Sequence, residues 1–350
     1  MLLNRIASYD PDYEPLTLAS TQLGNLQVGL GRADTSGDWF TISDLQDNIP
    51  FSYELTTSNS DRLSMFHTVS TLIEHNTANT PTSTGTTFDF GAAGDFGGES
   101  NATDTAQSMV NHHVNLFVGE GDYCYCDSDG RWWASTMKPL SSSGIIAKGS
   151  EGNHELTDSP GGNDLRQMWG QDSWQTSFDY KNTHFVLLPE DSAKPDPIWL
   201  SKDLASAKAN ARIKWIVVVF HEPIYTSNST HLPDEKGIKK TILPTIDKHH
   251  VDLFLQGHNH NYQRTFPMSS NQVTDRSADS NYKGPKGTMY MVIGTGGQEN
   301  DELGNQSSYV QKHVPNDQGF VDFHVTDNQI KGTYYSNNGD AVRDTFSISK

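Results

Sequence analysis

The chain has 350 residues, enough to bury a large core in one or two domains, and carries 43 acidic against 25 basic residues for a formal charge of −18. That balance excludes the basic footprint that nucleic acid or an anionic membrane surface would need. No run approaches the ~20 apolar residues of a membrane helix, and the opening MLLNRIASYDPDY has no signal-peptide apolar core.

Residues 1 to about 85 read as a small β-rich region. Short candidate strands at Leu26 to Leu30, Trp39 to Ile42 and Phe51 to Leu55 lie between Gly, Asp and Ser turns. Leu63, Phe66, Val69, Leu72 and Ile73 then recur at helical spacing and predict a short amphipathic helix. Asn76 to Thr87 is Thr, Ser, Pro and Gly punctuation, which places a boundary between a region 1–85 of unassigned role and a domain 86–350.

From Phe88 onward one theme recurs. Short apolar runs end in Gly and a polar residue: Phe88 to Gly91 before Asp95, Leu116 to Val118 before Asp122, Ile145 to Ala147 before Asn153. Ile216 to Phe220 leads into His221, and Val251 to Gln256 into His258. In α/β sheets the loops leaving the carboxyl ends of strands converge, so these residues share one end of the molecule. Helical patterns at Thr105 to Asn115, Pro197 to Asn210 and Lys236 to His249 alternate with the runs and predict an α/β core. A hairpin from Phe178 to Leu188 and late strands at Met289 to Ile293, Phe320 to Val325, Gly332 to Ser336 and Asp344 to Ile348 make two packed sheets more natural than one.

The stretch GDYCY, Gly121 to Tyr125, predicts a strand end turning into a helix, because one helical turn brings the oxygens of Asp122 and Tyr125 to the same side. Two hard oxygen donors aimed at one point suit a metal ion. Cys124 and Cys126, the only cysteines, are one residue apart, a spacing at which a bridge would be strained, so free thiols are expected. In GHNH the i, i+2 spacing of His258 and His260 puts both imidazoles on one side of an extended segment. His221-Glu222 and His154-Glu155 begin like H-E-x-x-H, but Tyr225 and Asp158 occupy the fifth positions and rule out a zincin. The GTGG at Gly294 to Gly297 reads as a turn rather than an anion cradle. The His112-His113 and His249-His250 pairs fall on predicted helix surfaces.

In order, GDFG, GDYCY, GNHE, FHEP and GHNHNYQR resemble the five-block signature of the calcineurin-like metallophosphoesterases, and the tyrosine of the second block resembles the purple acid phosphatase branch. The resemblance covers residues 86 to 350 and includes WLSKDL at Trp199 to Leu204 and VIGTGG at Val292 to Gly297. It implies a four-layer αββα sandwich of two mixed sheets flanked by helices, with a metal site at the C-terminal ends of the strands. It also implies two metal ions, Fe(III) and a divalent Fe, Zn or Mn. By the same resemblance Asp122 bridges them, Asp95, Tyr125 and His260 complete the first site, and Asn153, His221 and His258 the second. His154 matches the outer-sphere catalytic histidine, and His231 stands in the region of a further substrate histidine; Asn153, His154 and His231 would contact substrate.

The implied activity is that of a phosphomonoesterase on a phosphorylated small molecule, by in-line attack of metal-bound hydroxide on phosphorus. A phosphodiesterase or nucleotidase on the same fold is the nearer alternative, since loops such as Tyr225 to Gly237 and Gln298 to Tyr309 would choose the substrate. A non-catalytic cell-surface or structural protein is the alternative of another class. With Fe(III) and a divalent ion set against the carboxylates, phenolate and hydroxide, a residual charge of about +1 would favour an anionic substrate on an otherwise acidic protein. Glu222 adds negative charge beside the site, and thiols flanking Tyr125 could compete for a soft metal or reduce ferric iron. Sequons at Asn101, Asn228 and Asn305 point to an extracellular or cell-surface glycoprotein.

Overall fold

The computed structural model describes residues 86–350 except 98, 158–161, 191–194, 235–236, 278 and 303, and within the first 85 residues the backbone of four short strands. The chain separates into two compact units, Met1–Ser83 and Thr84–Lys350. In the first, β1 (Gln27–Gly31) pairs antiparallel with β2 (Trp39–Ser43), and β3 (Leu55–Thr56) with β4 (Arg62–Leu63). The first two match expected strands. The strand expected over 51–55 meets the described residues only at Leu55, and the helix expected over 63–73 only at Leu63, which is extended; the rest of both lies outside the described residues.

The second unit opens with β5 (Phe88–Ala93), α1 (Glu99–Asn111), β6 (Leu116–Gly119), α2 (Asp129–Ser135), α3 (Lys138–Ser141) and β7 (Ile146–Gly149). It continues through α4 (Asn153–Thr157), α5 (Asn163–Met168), the hairpin β8 (Thr176–Tyr180) and β9 (Thr183–Leu187), α6 (Pro197–Ala209), β10 (Trp215–Val219), α7 (Lys239–His249) and β11 (Leu253–Gln256). The last part is all strand: β12 (Tyr262–Thr265), β13 (Met268–Ser269), β14 (Gln272–Val273), β15 (Asn281–Lys283), β16 (Met289–Ile293), β17 (Val310–Val314), β18 (Gly319–Val325), β19 (Gln329–Ser336) and β20 (Val342–Ser349).

Two seven-stranded sheets result, in the orders β15-β20-β19-β18-β5-β6-β7 and β17-β12-β16-β11-β10-β9-β8. β5, β6 and β7 are parallel to one another, as are β9, β10, β11 and β16, and the remaining strands make each sheet mixed. Period-two alternation assigns the faces. Phe88, Phe90 and Ala92 of one sheet and Val217 and Val219 of the other point into a shared core. Phe90 ties the sheets together, stacking on Phe323 of its own sheet at 4.5 Å and meeting Phe185 of the other edge-on at 5.2 Å. Ile216 and Val218 face outward onto Leu200, Leu204, Ile242 and Ile246 of α6 and α7, while Phe117 faces outward onto α1, α2 and α3. The expected helix–sheet–sheet–helix sandwich is therefore what forms.

Local chemistry accounts for several boundaries. α6 starts where Asp196 caps the amides of Ile198 and Trp199 and Pro197 takes the first turn, in which it loses no hydrogen bond. The β8–β9 hairpin turns at Lys181 with φ 51°. α1 begins at Glu99 rather than Thr105 and ends at Asn111, so His112 and His113 lie just past it, and His112 pairs with Asp340 at 2.9 Å. His249 ends α7 and bonds Ser201 at 3.1 Å, while His250 is its left-handed cap.

Candidate metal centre

Every parallel strand that carries a predicted ligand delivers it from its carboxyl end. β5 leads to Asp95, β6 to Asp122 and Tyr125, β7 to Asn153 and His154, β10 to His221, and β11 to His258 and His260. Asp122 lies at the middle of the group. Its Oδ2 is 3.2 Å from His221 Nε2, 3.4 Å from the Tyr125 hydroxyl and 3.9 Å from His154 Nε2, and its Oδ1 accepts the His154 amide at 2.8 Å. On one flank the Tyr125 hydroxyl lies 3.0 Å from His260 Nε2 and 3.4 Å from Asp95 Oδ1, with His260 Nε2 3.6 Å from that same Oδ1. On the other, Asn153 Oδ1 is 3.2 Å from His221 Nε2, and ligand atoms of Asp122, His221 and His258 lie within 4.8 Å of one another. The seven predicted ligands thus come together, four on the Asp95 side and four on the His221 side with Asp122 common to both.

The histidines are oriented from behind. His221 Nδ1 donates to the Glu120 carbonyl at 2.7 Å and His260 Nδ1 to the Glu299 carbonyl at 2.8 Å, so each presents Nε2 to the centre. His154 and His231 stand at the sides, both half-buried, the first with its ring 3.8 Å from that of Tyr125 and the second 4.2 Å from that of His258. GTGG, expected as a turn, leaves β16 as a bend at Gly296 and Gly297 and braces the Asp95 loop: Gly296 N donates to the Gly94 carbonyl and Gly297 N to that of Asp95.

Three expectations need correction. Gly121 to Tyr125 does not begin a helix; helix starts only at Asp129. The oxygens of Asp122 and Tyr125 converge because both residues adopt φ 51°, which folds the backbone back on itself. For the same reason His258 and His260 do not share one side of an extended segment: His258 has φ 66°, and the two rings serve opposite flanks. Cys124 and Cys126 are not free thiols but a disulfide, with Cα atoms 5.1 Å apart. A straight strand would set them ~6.6 Å apart with their side chains abreast, and the left-handed Tyr125 between them brings them well inside the bridging range.

Sequence reasoning missed Glu155. Its carboxylate is buried under the site and accepts three backbone amides, those of Asp122 and Gly152 on Oε2 at 2.8 and 2.7 Å and that of Tyr123 on Oε1 at 2.8 Å. It locks the loop of Asp122 to the loop of Asn153. Glycine at 152 is required there, since a Cβ would overlap the amide and carboxylate of Asp122. Asp301 is a second such support, accepting the His260 amide at 3.0 Å and the Asn228 side chain at 2.7 Å.

The electrostatics fit a cation. Asp95 is fully buried, and burial pushes its carboxyl up to about 6 even though His221 and His260 draw it down. Burial also raises Asp122, but His221 and the His154 amide outweigh it and hold the group at about 2. Burial drives the Tyr125 phenol well above its usual range, with Asp95 and Asp122 adding to the effect. One flank offers the Asp95 carboxylate and the Tyr125 phenol with a single imidazole, His260, the other two imidazoles, His221 and His258, with the Asn153 amide oxygen, and Asp122 lies between them, a set suited to two unlike ions. An ion there would favour the charged forms of Asp95 and Tyr125 that burial disfavours.

Residues 88–262, half of the chain, match the calcineurin-like phosphoesterase family. Purple acid phosphatase 21 of Arabidopsis thaliana is 26% identical over 228 residues, covering 60% of this chain and 50% of that protein, and the phosphoenolpyruvate phosphatase of Allium cepa is 24% identical over 242 residues, 61% and 49%. The chain spans about half the length of these curated relatives. Among solved structures, purple acid phosphatase PPD1 from yellow lupin (Lupinus luteus) seeds superposes with a TM-score of 0.70 at 19% identity, over 97% of this chain and 70% of that one. GAP50, described as the anchor in the inner membrane complex of Plasmodium, gives 0.59 at 17% identity, over 75% and 89%. With the family match extending through every block of the centre except the far side of GHNHNYQR, the chain belongs to the calcineurin-like phosphoesterases.

Proposed function

We propose that the protein is a dinuclear metal phosphomonoesterase of the purple acid phosphatase kind, acting on a phosphorylated small molecule. The observation that carries this reading is the convergence of seven donors of suitable type around Asp122. Asp95, Asp122, Tyr125 and His260 would hold Fe(III), and Asp122, Asn153, His221 and His258 a divalent Fe, Zn or Mn. When bound, such ions supply an activated water and positive charge for phosphoryl oxygens. The chain's own part is positioning and proton handling. His154 and His231, one at each side and partly open to solvent, would donate hydrogen bonds to the phosphoryl group or a proton to the leaving alkoxide. Asn153 would share its amide between ion and substrate. An extracellular or cell-surface location belongs to the same proposal; of the three sequons, Asn305 is exposed, whereas Asn228 is buried and bonded to Asp301.

The test is phosphate release from p-nitrophenyl phosphate and from its bis-ester, by protein reconstituted with iron and zinc, set beside Asp122→Asn. Turnover of the monoester that is lost in the variant supports the proposal, and preference for the bis-ester would make the protein a diesterase. The likeness to GAP50 gives a second reading, a non-catalytic anchoring protein on this fold. Absence of phosphate release by the metal-loaded protein at high concentration would favour it.

A further inference from the structure

The residues that carry the seven donors are not held alike. The amide of Asp95 donates to the Gly121 carbonyl, that of Asp122 to Glu155, that of His258 to Asp95 and that of His260 to Asp301. The carbonyl of His221 accepts the Gly257 amide, and that of Asn153 the Thr157 hydroxyl. Tyr125 is different. Among the described residues, the backbone of Cys124, Tyr125 and Cys126 takes part in no hydrogen bond. Yet Tyr125 sits at φ 51°, a conformation that an L residue with a side chain leaves unless its surroundings impose it. The local restraint on this backbone is covalent: the Cys124–Cys126 bridge closes a small ring around it.

We propose that the Cys124–Cys126 disulfide is the positioning element for Tyr125, doing for this donor what backbone hydrogen bonds do for the other six, and that reduction of the bridge by a dithiol loosens the centre. The inference rests on the metal reading above. The two cysteines and Tyr125 line a cavity of about 450 Å³ whose lining also includes Arg131 and Asp127, Arg131 being the one cation among its described residues. Cys124 is 4% exposed and Cys126 half-buried, so Cys126 is the sulfur within reach. A thiolate of the dithiol, drawn by Arg131, attacks Cys126 Sγ, and Cys124 leaves and takes a proton. The second thiol then closes the reductant's own disulfide and releases Cys126. Two electrons and two protons have passed to the protein, which now carries two thiols, and the oxidised dithiol departs.

Gallium(III), a hard trivalent ion that a dithiol does not reduce, separates this effect from reduction of iron. Gallium and zinc affinities are measured by chelator competition on oxidised wild type, on wild type reduced with dithiothreitol and desalted without oxygen, and on Cys124→Ser/Cys126→Ser. Untreated protein should take up no iodoacetamide by mass and reduced protein two equivalents. Gallium binding should weaken about 10- to 100-fold in both opened forms, the scale of losing an outer-shell support, and reoxidation should restore wild type but not the double variant. The metal-free forms should melt together. A bridge that only stabilised the fold would lower metal-free melting and leave gallium affinity unmoved, which overturns the proposal, as would two reactive thiols in untreated protein. Oxidised wild type that binds neither ion would sink the dinuclear reading and this inference with it, whereas unchanged binding after reduction would sink this inference alone.

Discussion

Glu155→Ala is the sharpest probe of how the centre is built. The carboxylate is buried, and three backbone amides among the described residues, those of Asp122, Tyr123 and Gly152, end on its two oxygens at 2.7 to 2.8 Å. Removing it orphans three buried N–H groups at once. Each costs about 1–3 kcal/mol when left unsatisfied, and because the emptied space can admit water the lower end applies, giving about 3 kcal/mol in all. For a unit of this size that lowers the thermal midpoint by roughly 6–12 °C, measurable by circular dichroism on the metal-free protein. Glu155→Gln keeps one oxygen, able to serve the Asp122 and Gly152 amides, but turns a donor toward Tyr123, so it should fall between. Metal affinity should drop in the same order, because the Asp122 loop is what the three bonds hold. An alanine variant melting within about 2 °C of wild type, or a glutamine variant worse than alanine, would refute the clamp.

Other outcomes follow from the same geometry. Asp122→Asn should lose both metals by elemental analysis, while His154→Ala should keep them and turn over about a hundredfold more slowly or worse; equal metal loss in both would remove His154 from the catalytic role. Gly152→Ala, whose Cβ would overlap Asp122, should bind metal poorly although no ligand has changed, and full metal content would show that the two loops can separate. Away from the site, His184 is gripped by Asp179 at 2.6 Å and Asp203 at 2.9 Å, tying the β8–β9 hairpin to α6. Burial pulls its pKa down, but the hydrogen bonds and charges of Asp203 and Asp179 outweigh that and raise it above 6.5. The stabilisation is therefore complete below the unfolded-state value and is lost as pH rises through the higher folded-state value. The urea-denaturation gap between wild type and His184→Gln should be wide near about pH 5.5 and narrow by about pH 8.5; a constant gap would mean that the ring's charge contributes nothing.

The sandwich and the convergence of the proposed donors were legible for a common reason. An apolar run of the right length that ends in a donor, through Gly as in Phe88 to Asp95 or directly as in Ile216 to His221, records both a buried strand and the loop at its carboxyl end, and so carries its own placement. Glu155 was not legible because its importance lies in which amides it reaches, two of them more than 30 residues earlier in the chain. Nothing in GNHE distinguishes a clamp from a surface carboxylate.

The three corrected expectations have one cause, and it says something about the site. Helix, strand and an open dithiol were each inferred from regular backbone geometry, whereas Asp95, Asp122, Tyr125 and His258, four of the seven proposed ligands, sit at φ 51° to 66°. A left-handed L residue costs on the order of 1–2 kcal/mol, and each of the four has a visible reason to stay there. Asp95 and Asp122 are cross-linked through the Gly121 and Asp122 carbonyls, which accept the amides of Asp95 and Phe96, and His258 is tied to Asp95 Oδ2. Tyr125 has the disulfide. Regular strands deliver five loops to one end of the molecule, but adjacent side chains on a regular loop would diverge. The reversed residues turn donors from the ends of separate strands back toward Asp122, so the backbone cost is part of how two sheets come to share one centre.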